Sequence, residues 1–478
     1  MTTPDFSTLG SRLAAIGQDH VLAFYDELPA EGQRRLLDQV ASLDLESLPR
    51  HIERYVLNKP RTALPADVEP APYYPADHKS PTRPWDRMHY REVGEDLLRR
   101  GKVAAFTVAG GQGSRLGYEG PKGCYPAGAV TRKPLFQIFA EGLVATGRRY
   151  GVTPPWYIMT SPLNHEATVS FFRDNRFFGL SPASVMFFQQ GVMPSLDMKT
   201  GKILLAAKDE IATNPDGHGG AIRALHVSGA LADMRQRGVE QISYFQVDNP
   251  LVRVADPVFL GLHAAAPDSS GEMSSKMIPK VGPEEKVGVF CSAGGRTMVV
   301  EYSDLPERLA QERNADGSLR FIAGSIAVHI IAVAFAEKLA TDPEFELPFH
   351  RAEKKVPHID LQTGKPVKPE SPNAVKLERF IFDAIPLCRG SIVLETERVE
   401  EFAPIKNAEG VDSPATSHAI QTERAARWLT AAGVNVPRRE DGTPDCTLEI
   451  SPLTALEAED LRGKILPRRI ERGASVAL

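Results

Sequence analysis

Apolar positions along the chain fall into two periods. Leu36, Leu37, Val40 and Leu43 recur at helical spacing behind Pro29, which predicts a helix with one buried face. Residues 49–57 predict a second short helix, again with a proline in its first turn. Seven prolines between Pro60 and Pro84 leave no room for regular structure, so this stretch reads as an extended connector. A helix over 91–100 follows, with Gly101 suited to cap it. From there, apolar runs of strand length alternate with helical ones. Strands are expected over 103–108, 156–160, 185–189 and 242–247, and helices over 135–149, 165–175 and 219–237. That alternation predicts a parallel sheet covered on both faces, with ligands bound beyond the C-terminal ends of its strands.

Later in the chain the pattern loosens. Residues 285–303 alternate around Gly294-Gly295 and predict a hairpin. A short strand and a helix are expected over 321–339, loops over 345–372, and strand again over 388–402. The tail from 433 is proline-rich and charged, with one strand-like run at 446–450. The expected fold class is α/β, a Rossmann-like doubly wound mixed sheet. The central domain is placed at 101–390, after a helical N-terminal region and connector at 1–100 and before a small C-terminal domain at 391–478. The N-terminal helices read as a packing or dimerising cap without chemistry.

Composition narrows the function. Hydrophobic residues make up 42% of the 478, enough to bury a large core. A net charge of −5 offers no footprint for nucleic acid, so any cationic site must be local. Four cysteines stand far apart without a CxxC pair, which argues against zinc and redox motifs and suits a reducing, cytoplasmic setting. The N-terminus lacks the basic and apolar regions of a signal peptide. No apolar run is long enough to predict a membrane span.

The richest stretch is Ala109 to Pro126, Ala-Gly-Gly-Gln-Gly-Ser-Arg-Leu-Gly-Tyr-Glu-Gly-Pro-Lys-Gly-Cys-Tyr-Pro. It follows the first buried strand. Gly110, Gly111 and Gly113 remove side chains where the backbone must turn sharply, and N–H groups in such a loop, from Ala109 through Gly111, can converge on an anion. Arg115 and Lys122 add two positive charges. Strand, bare loop and cations together describe a phosphate cradle, although glycines can also gather in a turn for steric reasons alone. Walker and dinucleotide loops are excluded: Lys122 follows proline and precedes Gly123, and Leu116 stands where the dinucleotide loop needs a small residue. Asp216-Gly217-His218-Gly219-Gly220 is a second glycine-rich turn that opens a helix, either as an anion site or as an ordinary cap. Asp248 ends the strand at 242–247, where a carboxylate can serve as a Mg²⁺ ligand, a helix cap or half of an ion pair.

The loop pattern Gly-Gly-x-Gly-Ser-Arg-Leu-Gly followed by Pro-Lys-Gly resembles the signature of the sugar-nucleotide pyrophosphorylases. More narrowly, it resembles the eukaryotic-type UDP-sugar pyrophosphorylases in their N-acetylglucosamine branch. The likeness runs from Gly17 to Leu453 and includes Gly17–Leu28, Val247–Pro257, Val-Val-Glu301-Tyr302-Ser, Pro-Asn-Ala-Val-Lys376 and Pro-Ile-Lys406-Asn. It implies the nucleotide-diphospho-sugar transferase type of fold. Residue by residue, it implies that Gln190 hydrogen-bonds uracil and that the turn containing Gly217 and His218 holds uracil and sugar. Glu301 and Tyr302 match a sugar-binding pair. Gly288, Tyr302, Phe380 and Phe382 match the lining of the sugar and acetyl pocket. Lys376 and Lys406 match lysines on phosphate oxygens; without the match each would read as merely solvated.

The implied activity is uridylyl transfer from UTP to a hexose 1-phosphate, with Mg²⁺ as cofactor and pyrophosphate as second product. Positioning and cations would carry such a transfer, without a nucleophilic side chain. Arg115 and Lys122 are then assigned to the triphosphate and its transition state, and Asp248 to Mg²⁺. Two positions depart from the branch. His218 and Ser325 stand where asparagines are usual, and His218 looks more like the UDP-glucose and broad UDP-sugar relatives. The expected sugar is N-acetylglucosamine 1-phosphate with activity on glucose 1-phosphate. The alternatives are a glucose 1-phosphate or broad-specificity enzyme, and a non-catalytic UDP-sugar binding protein.

Overall fold

The computed structural model describes residues 5–59 and 64–478. The N-terminal residues 1–4 and the first connector residues 60–63, on which part of the signal-peptide and proline readings falls, lie outside the described residues. The chain forms two compact units, each assembled from three stretches. One comprises Met1–Leu64, Gln190–Ala221 and Leu347–Ile381; the other comprises Pro65–Gln189, Ile222–Glu346 and Phe382–Leu478.

In the first unit, the helices Phe6–Ala15 and Ala30–Ser42 form as their periodicity predicts, with Leu9, Leu13, Leu36, Leu37 and Val40 buried. The third, Leu48–His51, continues as one π-helical turn, Ile52–Leu57. These helices share a core with Leu196, Val375 and Leu377. Those residues lie on or beside a three-stranded sheet in which Ala374–Glu378 is central and antiparallel to His350–Lys354 and Leu196–Asp197. The stretch 345–372 is therefore less loop-like than its composition predicts. Its strand His350–Lys354 gains a partner twenty or more residues away, which local pattern cannot show.

The second unit is built on a ten-stranded mixed sheet. Gln241–Gln246, Val103–Val108, Trp156–Thr160 and Val185–Gln189 lie side by side in that order, all parallel. Val103–Phe106 and Trp156–Thr160 are buried along their whole length, as a sheet covered on both faces requires. Ala323–Ala332 runs antiparallel to Gln241–Gln246 and leads the sheet to Met273–Pro279 and to the hairpin Val289–Ala293/Arg296–Val300. That hairpin turns through Gly294 (φ 54°) and Gly295 (φ 74°), the positive-φ pair a tight two-residue turn needs.

Three expectations change. The helix expected over 219–237 is two, Ala221–Val227 and Ala230–Gln236, broken by Gly229 at φ 81°. The strand expected over 388–402 is Val393–Glu395 followed by a helical turn, Arg398–Glu401. The helix Pro414–Ala431 has no counterpart in the sequence reading. Ser413 and Thr416 close a capping box at its start, and its buried face includes Ser417, Gln421 and Thr422, so the hydrophobic period is muted. It delivers Trp428 and Leu429 to a small core with Leu448 and Leu461. Beside it the tail strand Thr447–Glu449 pairs in parallel with Ser475–Ala477. Among the described residues no helix is long and apolar enough to cross a membrane.

Candidate active site

The strand Val103–Val108 brings Ala109 to the C-terminal edge of the parallel strands, where its N–H still donates to Met159 O (2.7 Å). Beyond it the loop closes on itself: Gly113 N–H donates to Gly120 O (2.9 Å) and Lys122 N–H to Gly111 O (3.0 Å). Asn164 holds the base of the loop, donating from Nδ2 to Ala109 O (2.9 Å) and Gly111 O (3.2 Å) while Oδ1 accepts from Ser161 N–H (2.8 Å). Among the described residues, the N–H groups of Gly110, Gly111 and Gln112 donate to no main-chain carbonyl. Three consecutive donors thus have no main-chain acceptor, the arrangement a bare loop offers an anion.

The loop's glycines serve two purposes. A Cβ on Gly113 would lie 2.7 Å from the Tyr118 ring, and one on Gly123 would overlap the Phe136 ring. A Cβ on Gly111 would meet nothing nearer than Lys122 Cδ at 3.9 Å. Gly111 is therefore not required by packing, whereas Gly113 and Gly123 are. Cys124, in the same turn, is no nucleophile: burial pushes its thiol up to about 12.

The neighbouring strand supplies the opposing charge. Val247 N–H donates to Val108 O (3.1 Å), so the two strand exits leave the sheet together. Asp248 Oδ2 then lies 3.8 Å from Lys122 Nζ, both side chains mostly shielded at 13% and 17% exposure. Ile405 N–H donates to Asp248 O (2.9 Å), which draws the Lys406 segment to the same edge. Lys406 Nζ lies 3.3 Å from Asp412 Oδ2. Arg115 is exposed and forms no ion pair among the described residues. The structure thus brings Lys122, Asp248 and the Lys406 segment together, with Arg115 on the loop above. The described residues contain no cluster of three acidic, histidine or cysteine side chains able to cage a metal. A single shielded carboxylate fits Mg²⁺ that takes its other ligands from phosphates and water.

Further along the sheet, Ser325 N–H donates to Gly288 O (2.7 Å). A Cβ on Gly288 would stand 3.3 Å from Glu301 Oε1, so Gly288, Glu301 and Ser325 share one end of the hairpin. Tyr302 follows, 47% exposed. Phe382 is buried.

The remaining candidates belong to the first unit. Gln190 is buried. The turn after it is tightly filled: Asp216 N–H donates to Gly191 O (3.3 Å), Arg379 N–H to Asp216 O (2.8 Å) and Gly219 N–H to Arg379 O (2.8 Å). Gly217 has φ 84°, and a Cβ there would strike Arg379 O. The His218 ring stacks on Phe380 at 5.2 Å, and Phe380 stacks on His350 at 4.3 Å. Ile381 N–H donates to His218 Nδ1 (3.2 Å), which leaves the ring proton on Nε2. Burial, then the charge of His350, pushes the imidazole down to about 4, so His218 is neutral at physiological pH. Lys376, on the central strand, pairs with Glu378 Oε1 at 2.8 Å. That partner has no signal in the sequence beyond its place two residues on, on the same face of a strand.

The chain resembles known proteins in both sequence and fold. The family model described as UTP–glucose-1-phosphate uridylyltransferase matches residues 66–423. The chain is 39% identical over 476 residues to the human UDP-N-acetylhexosamine pyrophosphorylase-like protein 1, covering 94% of this chain and 93% of that one. It is 33% identical to the UDP-N-acetylglucosamine pyrophosphorylase of Saccharomyces cerevisiae, covering 95% and 96%. Its fold matches the crystal structure of the Trypanosoma brucei uridine diphosphate N-acetylglucosamine pyrophosphorylase in complex with an inhibitor, with a TM-score of 0.80, 27% identity, and coverage of 97% and 95%. The ordered motifs, the mixed sheet and these matches agree, and the chain belongs to the UTP–glucose-1-phosphate uridylyltransferase family.

Proposed function

We propose that this chain joins UTP to N-acetylglucosamine 1-phosphate, forming UDP-N-acetylglucosamine and pyrophosphate. The observation that carries the reading is the row of loop N–H donors, Gly110 to Gln112, beside the Lys122–Asp248 pair at the C-terminal edge of parallel strands. In the transfer, an oxygen of the sugar phosphate attacks the α-phosphorus of UTP, and the bond to the pyrophosphate oxygen breaks as that anion leaves. Charge accumulates on phosphoryl oxygens, so fixed donors and cations lower the barrier. The loop N–H groups, Arg115 and Lys122 are assigned to the triphosphate. Lys406 is assigned to phosphate oxygens, as is Lys376 once it exchanges Glu378 for the ligand. Asp248 would hold Mg²⁺, which when bound neutralises phosphate charge.

Gln190 and Gly217 are assigned to uracil. His218, Gly288, Glu301, Tyr302, Ser325, Phe380 and Phe382 are assigned to the sugar, His218 as a neutral Nε2–H donor. The name of the human relative and that of the yeast relative support the acetylated sugar. Four buried thiols support a reducing, cytoplasmic location. A second reading, glucose 1-phosphate, is favoured by Ser325, whose short side chain lacks the amide usual at that position.

Pyrophosphate release from UTP, Mg²⁺ and each sugar 1-phosphate tests the proposal. The acetylated sugar is expected to give the higher kcat/KM, with measurable activity on glucose 1-phosphate. A preference of about tenfold for glucose 1-phosphate, roughly 1.4 kcal/mol of transition-state binding, would overturn the choice of sugar. No release with any sugar would leave a binding protein instead of an enzyme. Ser325→Asn should shift the ratio toward the acetylated sugar.

A further inference from the structure

The segment that carries Lys406 is hung on a residue more than 150 positions earlier. Asn249 is buried, and its amide works in both directions. Nδ2 donates to Glu401 O (2.6 Å), and Oδ1 accepts from Ala403 N–H (3.0 Å) and from Leu251 N–H (3.2 Å). Ile405 N–H adds its bond to Asp248 O. The path from Glu401 to Lys406 is therefore laced to Asp248 and Asn249, just beyond the strand Gln241–Gln246. Its start is fixed as well. Both carboxylate oxygens of Glu401 accept from Lys276 Nζ (2.8 and 2.6 Å), and Thr396 Oγ1 donates to Oε1 (2.9 Å). Lys276 also meets Asp256 Oδ2 at 2.6 Å. Burial alone would raise the Asp256 carboxyl, but Lys276 and Arg253 outweigh it and hold the group well below the usual carboxylate range. Farther out, Lys406 is 38% exposed, its Nζ lies 3.3 Å from Asp412 Oδ2 and its N–H donates to Asp412 O (2.6 Å), so its main chain is held at both ends of this path.

We infer that Asn249 is a positioning residue: its amide sets Lys406 against the Lys122–Asp248 pair. The site needs one donor and two acceptor contacts from a single short side chain, which asparagine supplies and aspartate does not. The inference rests on the uridylyltransferase reading. It adds a residue that touches no substrate and acts through Lys406.

A double-mutant cycle with hydrogen exchange on the full chain tests it. Asn249→Ala should lower kcat roughly 10–100-fold, the scale of a small misplacement of a catalytic group. In a Lys406→Ala background the same change should cost less than about threefold, because coupled residues are not additive. Amides in 402–413 should exchange at least about tenfold faster in Asn249→Ala, with the sheet amides unchanged. Should that variant fail to fold, Asn249→Asp, which keeps the oxygen for Ala403 and loses the donor to Glu401, carries both measurements. Equal losses of kcat in the two backgrounds, or unchanged exchange in 402–413, would overturn the inference. A wild-type chain that releases no pyrophosphate overturns the activity reading and the inference with it; an active wild type with an additive cycle overturns the inference alone.

Discussion

In the loop 109–126, Gly111 has room for a methyl group, its nearest neighbour being Lys122 Cδ at 3.9 Å. In the turn 216–220, no glycine has such room. A Cβ on Gly219 would lie 2.7 Å from the main chain of Arg379 and Phe380, and one on Gly220 would collide with the Asp216 carboxylate. The two turns look alike in composition, yet the first leaves main chain bare at Gly111 and the second closes on its own unit. The first is made of donors and cations; the second is a fitted joint that presents one neutral imidazole. Glycine content alone does not separate these uses, but the distance from each absent Cβ to its neighbours does.

Four substitutions sharpen this contrast. The largest effect is expected for Gly219→Ala, where overpacking against rigid main chain should cost about 3 kcal/mol and lower the melting midpoint of the protein. Gly111→Ala should leave stability within about 0.5 kcal/mol while weakening UTP binding. Equal melting curves for the two variants would break the comparison.

Next comes Lys122→Ala. A hydrogen bond to a charged group is worth about 1.5–3 kcal/mol, so turnover should fall roughly 10–200-fold with an unchanged melting curve. Near wild-type turnover would remove Lys122 from the phosphate site.

The smallest effect is a pH dependence seated in the second turn. His218 titrates near 4 in the native state, and an unfolded histidine near 6.5. Between those values the unfolded chain binds the extra proton, so stability is full above 6.5 and declines as the pH falls toward 4. Denaturant titrations at pH 7.5 and 5.0 should show the wild type losing about 1–2 kcal/mol more than His218→Asn, which carries no titrating group. Parallel losses in the two proteins would show that burial does not hold the imidazole neutral.

Much of the second unit was legible in the sequence because its parallel strands are buried on both faces and read as unbroken apolar runs. The glycine loop was legible for a similar reason: glycines, Arg115 and Lys122 lie within fourteen residues of one another. The helix Pro414–Ala431 was not legible, because Ser417, Gln421 and Thr422 occupy its buried face. Nor were Asn164 and Asn249, whose amides reach partners 55 and 152 residues away. A lone asparagine after a strand carries no mark of what it will hold.

By itself, then, the sequence determined the local features: strand and helix periods, the bare loop with its two cations, and the paired glycines of the hairpin. These follow from side-chain period, allowed φ and fixed charge, all set within a few residues. Only the tertiary structure decided how three separate stretches assemble into each unit, and which glycines are fitted joints. It alone placed Asp248 against Lys122 and fixed the ring proton of His218 on Nε2. Each of those depends on atoms brought together across long separations in the chain, where packing and hydrogen-bond geometry, not local preference, set the outcome.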